Sequence, residues 1–181
     1  MSRQDVSGKQ AARRRPRRWL VELAVVALAF FAVHAFVTRD VVRGPLPALQ
    51  GLLADGTAVS VADWQQARGG DAFLLYVWAS WCPICKTVDG SIDAVAREAP
   101  VLTVAMQSGG GAEVGRFLAA RGYRWPTLVD DDARLSRQLG VDAVPTLIFV
   151  DRAGRVRAVT QGYTSEIGIR LRLWWAGRGG A

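Results

Sequence analysis

The chain opens with one long apolar run. From Trp19 to Val37, only Glu22 and His34 interrupt the hydrophobic side chains. In a helix, these 19 residues at about 1.5 Å each just match a bilayer core roughly 30 Å thick. The pattern therefore predicts one N-terminal transmembrane helix, which we place at residues 19–38.

Beyond this run, the pattern becomes that of a folded domain. Residues 72–79 and 101–107 are continuous apolar runs of strand length, typical of strands that are buried on both faces. Between them, apolar side chains recur every three or four residues and predict a helix over residues 83–98. These side chains are Ile84, Val88, Ile92 and Val95. We expect the first strand at the centre of a sheet, ending directly before this helix.

Two strand pairs are predicted, one near each end of the domain. Residues 52–61 contain the turn sequence Asp55-Gly56 between two short apolar stretches, which is typical of a hairpin. Residues 147–161 contain a second turn, at 151–154, and predict an antiparallel pair.

Two further helices complete the order of elements. The first is predicted over residues 112–121, before Gly122. The second follows a cap at Thr164 or Ser165 and carries apolar side chains on one face. These side chains are Ile167, Leu171 and Trp174. The alternation of strands and helices predicts an α/β domain.

The net charge of +7 is concentrated at the N-terminus. Residues 1–18 contain seven basic residues and one acid, whereas the remainder contains 16 basic and 15 acidic residues. A nearly neutral domain lacks the clustered basic surface that nucleic acids require, so no nucleic-acid partner is predicted. Basic residues before an apolar run keep the N-terminus in the cytoplasm. We therefore predict a basic cytoplasmic tail at 1–18, a signal-anchor in the lipid bilayer at 19–38, and export of the remaining chain.

A cleaved signal peptide is the alternative to an anchor. Residues 33–35 suit a signal peptidase, but the apolar run continues through Val37, which favours an uncleaved anchor. After the run, Pro45 and Pro47 interrupt any continuing helix. We place a linker at 39–45, the folded domain at 46–176 and a flexible tail at 177–181.

Cys82 and Cys85 are the only two cysteines. A disulfide that closes so small a loop removes little entropy from the unfolded chain, so its role is chemical rather than structural. Cys82 lies where the helix begins, and free amide groups and the helix dipole there favour a thiolate. We predict Cys82 as the nucleophile and Cys85, one turn later, as the resolving thiol.

Two neighbours support this pair. Pro83 fits the first helical turn, where its missing N–H costs nothing, and Trp81 shields the thiols while offering an apolar contact surface. His34 is the only histidine, so the exported domain has no Cys/His zinc set. No metal and no cofactor are predicted.

The residues from 81 to 85, WCPIC, follow a strand and precede a helix and a second strand, and Val144-Pro145-Thr146 precedes an antiparallel hairpin. This order resembles a thioredoxin fold over residues 46–176. The resemblance implies a central mixed sheet flanked by helices, here with an N-terminal hairpin extension. The anchor and residues 78–83 are similar to membrane-tethered periplasmic thioredoxin-like proteins, including the cytochrome c maturation reductases. Residues 104–109 and 162–174 resemble the D type of the suppressor-of-copper-sensitivity group.

The resemblance also implies roles that the residues alone do not establish. Pro145 is expected to be a cis-proline against the cysteine pair, and the Val144 backbone is expected to bind a partner strand. Without the resemblance, a trans proline at the start of an edge strand would be the interpretation. The implied substrates are periplasmic protein disulfides, the implied location is the bacterial inner membrane, and a membrane protein is the implied electron donor.

Two positions depart from the family pattern. Tyr76 stands where thioredoxins carry an aspartate, and Val88 stands where tethered relatives often carry a glutamate. Asp89, one helical turn beyond Cys85, is the candidate proton acceptor. The alternative is that Asp89 is an ordinary exposed helix carboxylate.

We therefore predict a thiol-disulfide oxidoreductase that acts on periplasmic proteins. Pro83 and Ile84 bring no hydrogen-bond donor that would stabilise a thiolate strongly, which favours a reductant or an interchange protein over a strong oxidant. A Cu(I)-binding copper-tolerance protein using the same two thiolates is the alternative. A redox-inert scaffolding domain is a third hypothesis.

Overall fold

The computed structural model describes residues 15–179, and this part of the chain divides into two compact units between Val37 and Thr38. Most of the predicted basic tail, residues 1–14, lies outside the described residues, as do the side chains of residues 15–18. The last two residues of the predicted tail and the side chain of His34 also lie outside them.

The first unit contains the helix α1 (Arg15–Val37). The apolar run, residues 19–37, is therefore helical, as predicted. Within residues 15–179, however, none of the helices has the length and apolarity that crossing a membrane requires. The predicted transmembrane role of residues 19–38 is not confirmed.

The second unit contains eight strands and five helices in the described chain. The strands are β1 (Gly44–Pro45), β2 (Gln50–Leu52), β3 (Ala58–Ser60), β4 (Phe73–Trp78), β5 (Val101–Met106), β6 (Thr127–Asp130), β7 (Thr146–Val150) and β8 (Arg155–Gln161). The helices are α2 (Val61–Gln66), α3 (Pro83–Ala96), α4 (Gly111–Arg121), α5 (Arg134–Gln138) and α6 (Glu166–Arg178). The predicted helices and strand pairs are confirmed to within a few residues.

Six strands form one mixed sheet in the order β1-β8-β7-β4-β5-β6. β4, β5 and β6 are parallel, whereas β7, β8 and β1 continue the sheet in antiparallel fashion. β2 and β3 form a separate hairpin, and Gly56 supplies the positive φ of 87° that its turn requires. The predicted mixed sheet and N-terminal hairpin are therefore confirmed, and β4 is central as expected.

The core lies on both faces of the sheet because β4 is covered on both sides. All six of its side chains are fully buried. Alternate residues, Tyr76 among them, face the cluster that contains α3 and α6, while the others face the cluster that contains α2 and α5. A strand buried in this way has no solvent-facing position, which explains its continuous apolar sequence.

The segment predicted as a linker, residues 39–45, packs against the domain over part of its length. Val41 is buried, and the Val42 N–H donates to the Leu139 carbonyl at 2.9 Å. Gly44 and Pro45 pair with β8 as a short edge strand. A proline fits at such an edge, because its missing N–H removes no ladder hydrogen bond from the sheet interior.

The closing helix α6 packs with a different face from the predicted one. Ile167, Leu171 and Trp174 are exposed to 79%, 60% and 53%. The buried face consists of Ile169, Leu173 and Ala176. Both sets recur at helical spacing, so the period alone could not decide which set faces the sheet. The helix also continues to Arg178 and therefore includes the first two residues of the predicted flexible tail.

Candidate active site

Cys82 lies at the point where β4 has ended and α3 begins. Its backbone N–H donates to the Ala79 carbonyl at 3.2 Å, and Cys82 has the extended conformation of a helix N-cap. Pro83 occupies the first turn of α3, where a helix does not use the missing N–H. The Cys82 sulfur accepts a hydrogen bond from the Cys85 backbone N–H at 3.1 Å. The sequence placed both cysteines at this turn, and the structure brings them together there.

The two thiols are free and buried, with 3% of Cys82 and 1% of Cys85 exposed. Burial, assisted by the neighbouring Cys82, raises the pKa of Cys85 to about 12. A buried thiol disfavours its charged form because the thiolate loses its hydration. Cys85 is therefore held as a thiol at neutral pH, as a resolving cysteine would be before it reacts.

The peptide bond between Val144 and Pro145 is cis, as the resemblance implies. The Cys82 thiol donates a long hydrogen bond to the Val144 carbonyl, with 3.6 Å between sulfur and oxygen. Thr146 begins β7 directly after this bond, and its hydroxyl donates to the Ala143 carbonyl at 2.7 Å. The start of the antiparallel β7 thus borders Cys82.

Two exposed apolar side chains belong to the segment that carries the buried thiols. Trp81 precedes Cys82 and is 58% exposed, and Ile84 lies between the two cysteines in the chain and is 50% exposed. The Trp81 indole N–H donates to the Gln107 carbonyl at 2.9 Å, so the ring is oriented although it is exposed. This exposed ring comes directly before Cys82 in the chain, where the sequence predicts an apolar contact surface.

The loop after β5 holds the segment that leads to Cys82, a role that the sequence analysis missed. The Ser108 hydroxyl accepts from the Ser80 N–H at 2.9 Å and donates to the Met106 carbonyl at 3.0 Å. Gln107 has a positive φ of 46° in the same loop. Neighbouring parallel strands end at the same edge of the sheet. A serine directly after the second buried strand could therefore have been predicted to lie near the segment that follows the first one.

Asp89 is buried, with 1% of the residue exposed, which corrects the alternative interpretation of an exposed carboxylate. The Tyr76 hydroxyl donates to Asp89 Oδ1 at 2.9 Å. Asp89 lies one turn after Cys85 on the face of α3 that packs on the sheet, and Tyr76 on β4 supplies the partner that makes this burial tolerable. Tyr76, one of the two departures from the family pattern, and the candidate proton acceptor Asp89 are thus joined by one buried hydrogen bond.

Burial also shifts the proton affinities of this pair. Loss of hydration raises the pKa of Asp89, while the bond from Tyr76 and the charges of Arg121 and Lys86 oppose the rise. Burial and the nearby Asp89 raise the pKa of Tyr76 well above its usual value. The nearby Tyr76 hydroxyl opposes the rise in the pKa of Cys85.

Aromatic rings enclose the Tyr76 side of the site. Trp125 lies edge-on to Tyr76, with ring centroids 6.1 Å apart, and stacks on Tyr123 at 4.1 Å. Tyr76 is fully buried, whereas Tyr123 is only partly buried. The rings therefore separate Tyr76 from solvent on this side.

Residues 40–168 match the Redoxin family. The chain belongs to this family. A thioredoxin-like protein of Haemophilus influenzae is 27% identical to this redoxin over 157 residues, which cover 86% of the chain and 92% of the relative. A thiol:disulfide interchange protein DsbE of Pseudomonas fluorescens is 28% identical over 171 residues, which cover 87% and 92%.

Solved structures share the fold of this redoxin. The exposed lipoprotein thioredoxin of Streptococcus pneumoniae is 28% identical, with a TM-score of 0.58 over 71% of this chain and 98% of that one. A DsbF homologue from Corynebacterium diphtheriae has a TM-score of 0.64 at 20% identity over 74% and 87%, which supports the fold alone. This redoxin is a disulfide oxidoreductase of thioredoxin type, as the sequence predicted.

Proposed function

We propose that this redoxin reduces or exchanges disulfides of periplasmic proteins through Cys82 and Cys85. The observation that carries the proposal is the 3.1 Å hydrogen bond from the Cys85 N–H to the Cys82 sulfur at the start of α3. A backbone N–H aimed at sulfur stabilises the negative charge of a thiolate. Cys82 is therefore the thiol equipped to attack.

The proposed reaction has two thiol-disulfide exchanges. The Cys82 thiolate attacks one sulfur of the partner disulfide, forms a mixed disulfide and releases the other partner sulfur as a thiolate. Cys85 then loses its proton and attacks Cys82, so that the Cys82–Cys85 disulfide forms and the second partner thiolate leaves. The partner gains two electrons, and a membrane electron donor must return the redoxin to its dithiol state.

Partner binding would use the two surfaces that border Cys82. The Val144 backbone lies at the start of β7, where an extended partner segment could add main-chain hydrogen bonds. Trp81 and Ile84 supply exposed apolar area beside it. We assign substrate binding to Val144, with supporting roles for Trp81, Pro83 and Pro145.

We propose that electrons flow from the redoxin to its partners. Pro83 and Ile84 add no side-chain hydrogen-bond donor to the Cys85 N–H, so the Cys82 thiolate is stabilised only weakly. A weakly stabilised thiolate does not favour the dithiol state strongly. The pair therefore gives up its electrons readily, as a reductant or an interchange protein does. A reduction potential near that of strongly oxidising proteins, measured against glutathione, would contradict this direction.

We place the catalytic domain outside the cytoplasm. The support is the excess of basic residues before the apolar run and the likeness to a DsbE protein and to an exposed lipoprotein thioredoxin. We propose residues 19–38 as the attachment to the inner membrane. The membrane-tethered proteins that the sequence resembles, including the D type of the suppressor-of-copper-sensitivity group, are the precedent. Alkaline extraction of membranes, followed by detection of the full chain, tests this attachment.

The function is tested by trapping a partner. In Cys85→Ala, Cys82 can form a mixed disulfide but nothing resolves it, so partner proteins should remain covalently bound until a reductant is added. The matched control is Cys82→Ser, which should trap nothing and should lose reduction of a model disulfide protein. Equal reduction by wild type and Cys82→Ser would overturn the proposal.

The Cu(I) alternative finds no support among the relatives of this redoxin and is not proposed.

A further inference from the structure

We propose that Gln161 and Thr146 are positioning residues for partner binding. Their side chains hold the Ala143 carbonyl, and the N–H of the same peptide bond, that of Val144, is thereby presented to a backbone carbonyl of an extended partner segment. The inference rests on the proposed function, because it deepens the assignment of substrate binding to Val144. It adds the two side chains that fix this stretch of backbone.

Two side-chain donors converge on the Ala143 carbonyl. The Thr146 hydroxyl donates to it at 2.7 Å, and the Gln161 side-chain N–H donates to it at 3.1 Å. Thr146 on β7 and Gln161 on β8 stand directly opposite each other in the antiparallel ladder, so their side chains lie on the same face of the sheet. This cross-strand pair therefore places both donors on one side of the peptide bond between Ala143 and Val144.

The peptide bond transmits this orientation to Val144. The only cis peptide bond in the described chain is the one that follows Val144, so the bond that precedes it is trans. In a planar trans peptide, the C=O and the N–H point in opposite directions. The Val144 N–H is therefore directed away from the side chains of Thr146 and Gln161. If the Ala143 carbonyl were free to turn, this N–H would turn with it.

The Val144 N–H is a donor that the fold leaves unused. Across residues 15–179, no oxygen accepts a hydrogen bond from it. Ala143 is exposed and Val144 is half-buried, so a partner can reach this stretch of backbone. A free N–H in such a place suits main-chain recognition, in which an extended segment pairs with backbone groups.

The state of Cys82 decides whether the Val144 carbonyl is available as well. In the dithiol state, the Cys82 thiol donates to this carbonyl, with 3.6 Å between sulfur and oxygen. In the mixed disulfide, the Cys82 sulfur is bonded to the partner and has no proton to donate, so the carbonyl can accept a partner N–H instead. Val144 then offers one donor and one acceptor, as a residue in an antiparallel ladder does.

A merely structural role makes a different prediction. The Gly162 N–H also donates to the Pro145 carbonyl at 2.8 Å, so β8 is joined to this segment without the two side chains. If Gln161 and Thr146 only add stability, their loss lowers the melting temperature and leaves partner binding unchanged. If they hold Val144, their loss weakens the binding of a disulfide that is carried on a peptide backbone.

The test compares two disulfides as substrates of the full chain. Insulin carries its disulfides on a peptide backbone, whereas bis(hydroxyethyl) disulfide has no peptide carbonyl for Val144 to bind. Thr146→Val and Gln161→Met should each raise the KM for insulin by roughly threefold, and the double variant should raise it by roughly tenfold, as weakened hydrogen bonds do. The kcat for insulin should not change, since only binding is weakened. The preference for the small disulfide, expressed as the ratio of the two kcat/KM values, should increase by the same factors.

Thr160→Val is the matched control, because it removes a buried β8 hydroxyl that bonds with Thr164 instead of the Ala143 carbonyl. It should leave the KM for insulin and the preference between the disulfides unchanged. Thermal unfolding of each variant identifies any loss of folding.

A second measurement reads the Val144 N–H directly. In Cys85→Ala joined by a mixed disulfide to a cysteine-containing peptide, hydrogen exchange at this N–H should be at least about tenfold slower than in the free variant. The slowing should be lost when Thr146→Val and Gln161→Met are added.

Two results would each overturn the inference alone: a wild-type KM for insulin in the double variant, or an unprotected Val144 N–H in the trapped complex. A wild type that reduces no insulin, together with a Cys85→Ala variant that traps no peptide, would overturn the proposed function and this inference with it. The two failures are therefore distinguishable.

Discussion

The Cys82 sulfur accepts a hydrogen bond from the Cys85 backbone N–H across 3.1 Å. The proposed nucleophile is therefore also the N-cap of α3. Serine is among the preferred N-cap residues, whereas alanine leaves the orphan N–H without a partner. One side chain thus serves both the chemistry and the stability of the helix, and substitutions can separate these two contributions.

We expect Cys82→Ser to be more stable than Cys82→Ala by about 1 kcal/mol, because only the serine retains an acceptor for the Cys85 N–H. Both variants should be equally inactive as oxidoreductases. Urea unfolding under reducing conditions measures the difference, with the reduced wild type as reference. Equal stability of the two variants would show that the cap contributes nothing.

Asp89→Asn should raise the melting temperature at neutral pH. The pKa of Asp89 is raised in the folded protein because burial penalises its charge. A folded acid with a raised pKa binds its proton more tightly than the unfolded chain does. The wild type therefore loses stability as pH rises from the ordinary aspartate value of about 4 through the raised value. Asparagine avoids this loss and can still accept the Tyr76 hydrogen bond.

The gain in melting temperature from Asp89→Asn should be absent below pH of about 4, because Asp89 is then protonated in both the folded and the unfolded wild type. The gain should grow as pH rises above that value. Melting curves of both proteins across this range measure it. Asp93→Asn is the control, since that carboxylate is only partly buried and pairs with the exposed Arg97. A gain for Asp89→Asn that is constant with pH would contradict this origin.

Most of the architecture around the cysteines could be predicted from sequence, because β4 and β5 are continuous apolar runs and α3 has a clear helical period. The four-residue strand β6 escaped prediction because it is short and ends in an aspartate. The burial of Asp89 was harder to predict, for a physical reason. A carboxylate on a buried helix face is tolerated only where a partner reaches it, and Tyr76 is 13 positions away in the chain.

The closing helix offers the sharpest test of which face is buried. Ile167 and Ile169 are two residues apart on α6, yet 79% of Ile167 is exposed and Ile169 is fully buried. Ile169→Ala should lower the free energy of unfolding by about 2 to 5 kcal/mol, since it leaves a cavity between α6 and the sheet. Ile167→Ala, the same change on the solvent side, should alter it by no more than about 0.5 kcal/mol. Urea unfolding of the two variants measures both values. Equal losses would mean that Ile167 is covered in the folded protein as well as Ile169, and would contradict its exposed position on α6.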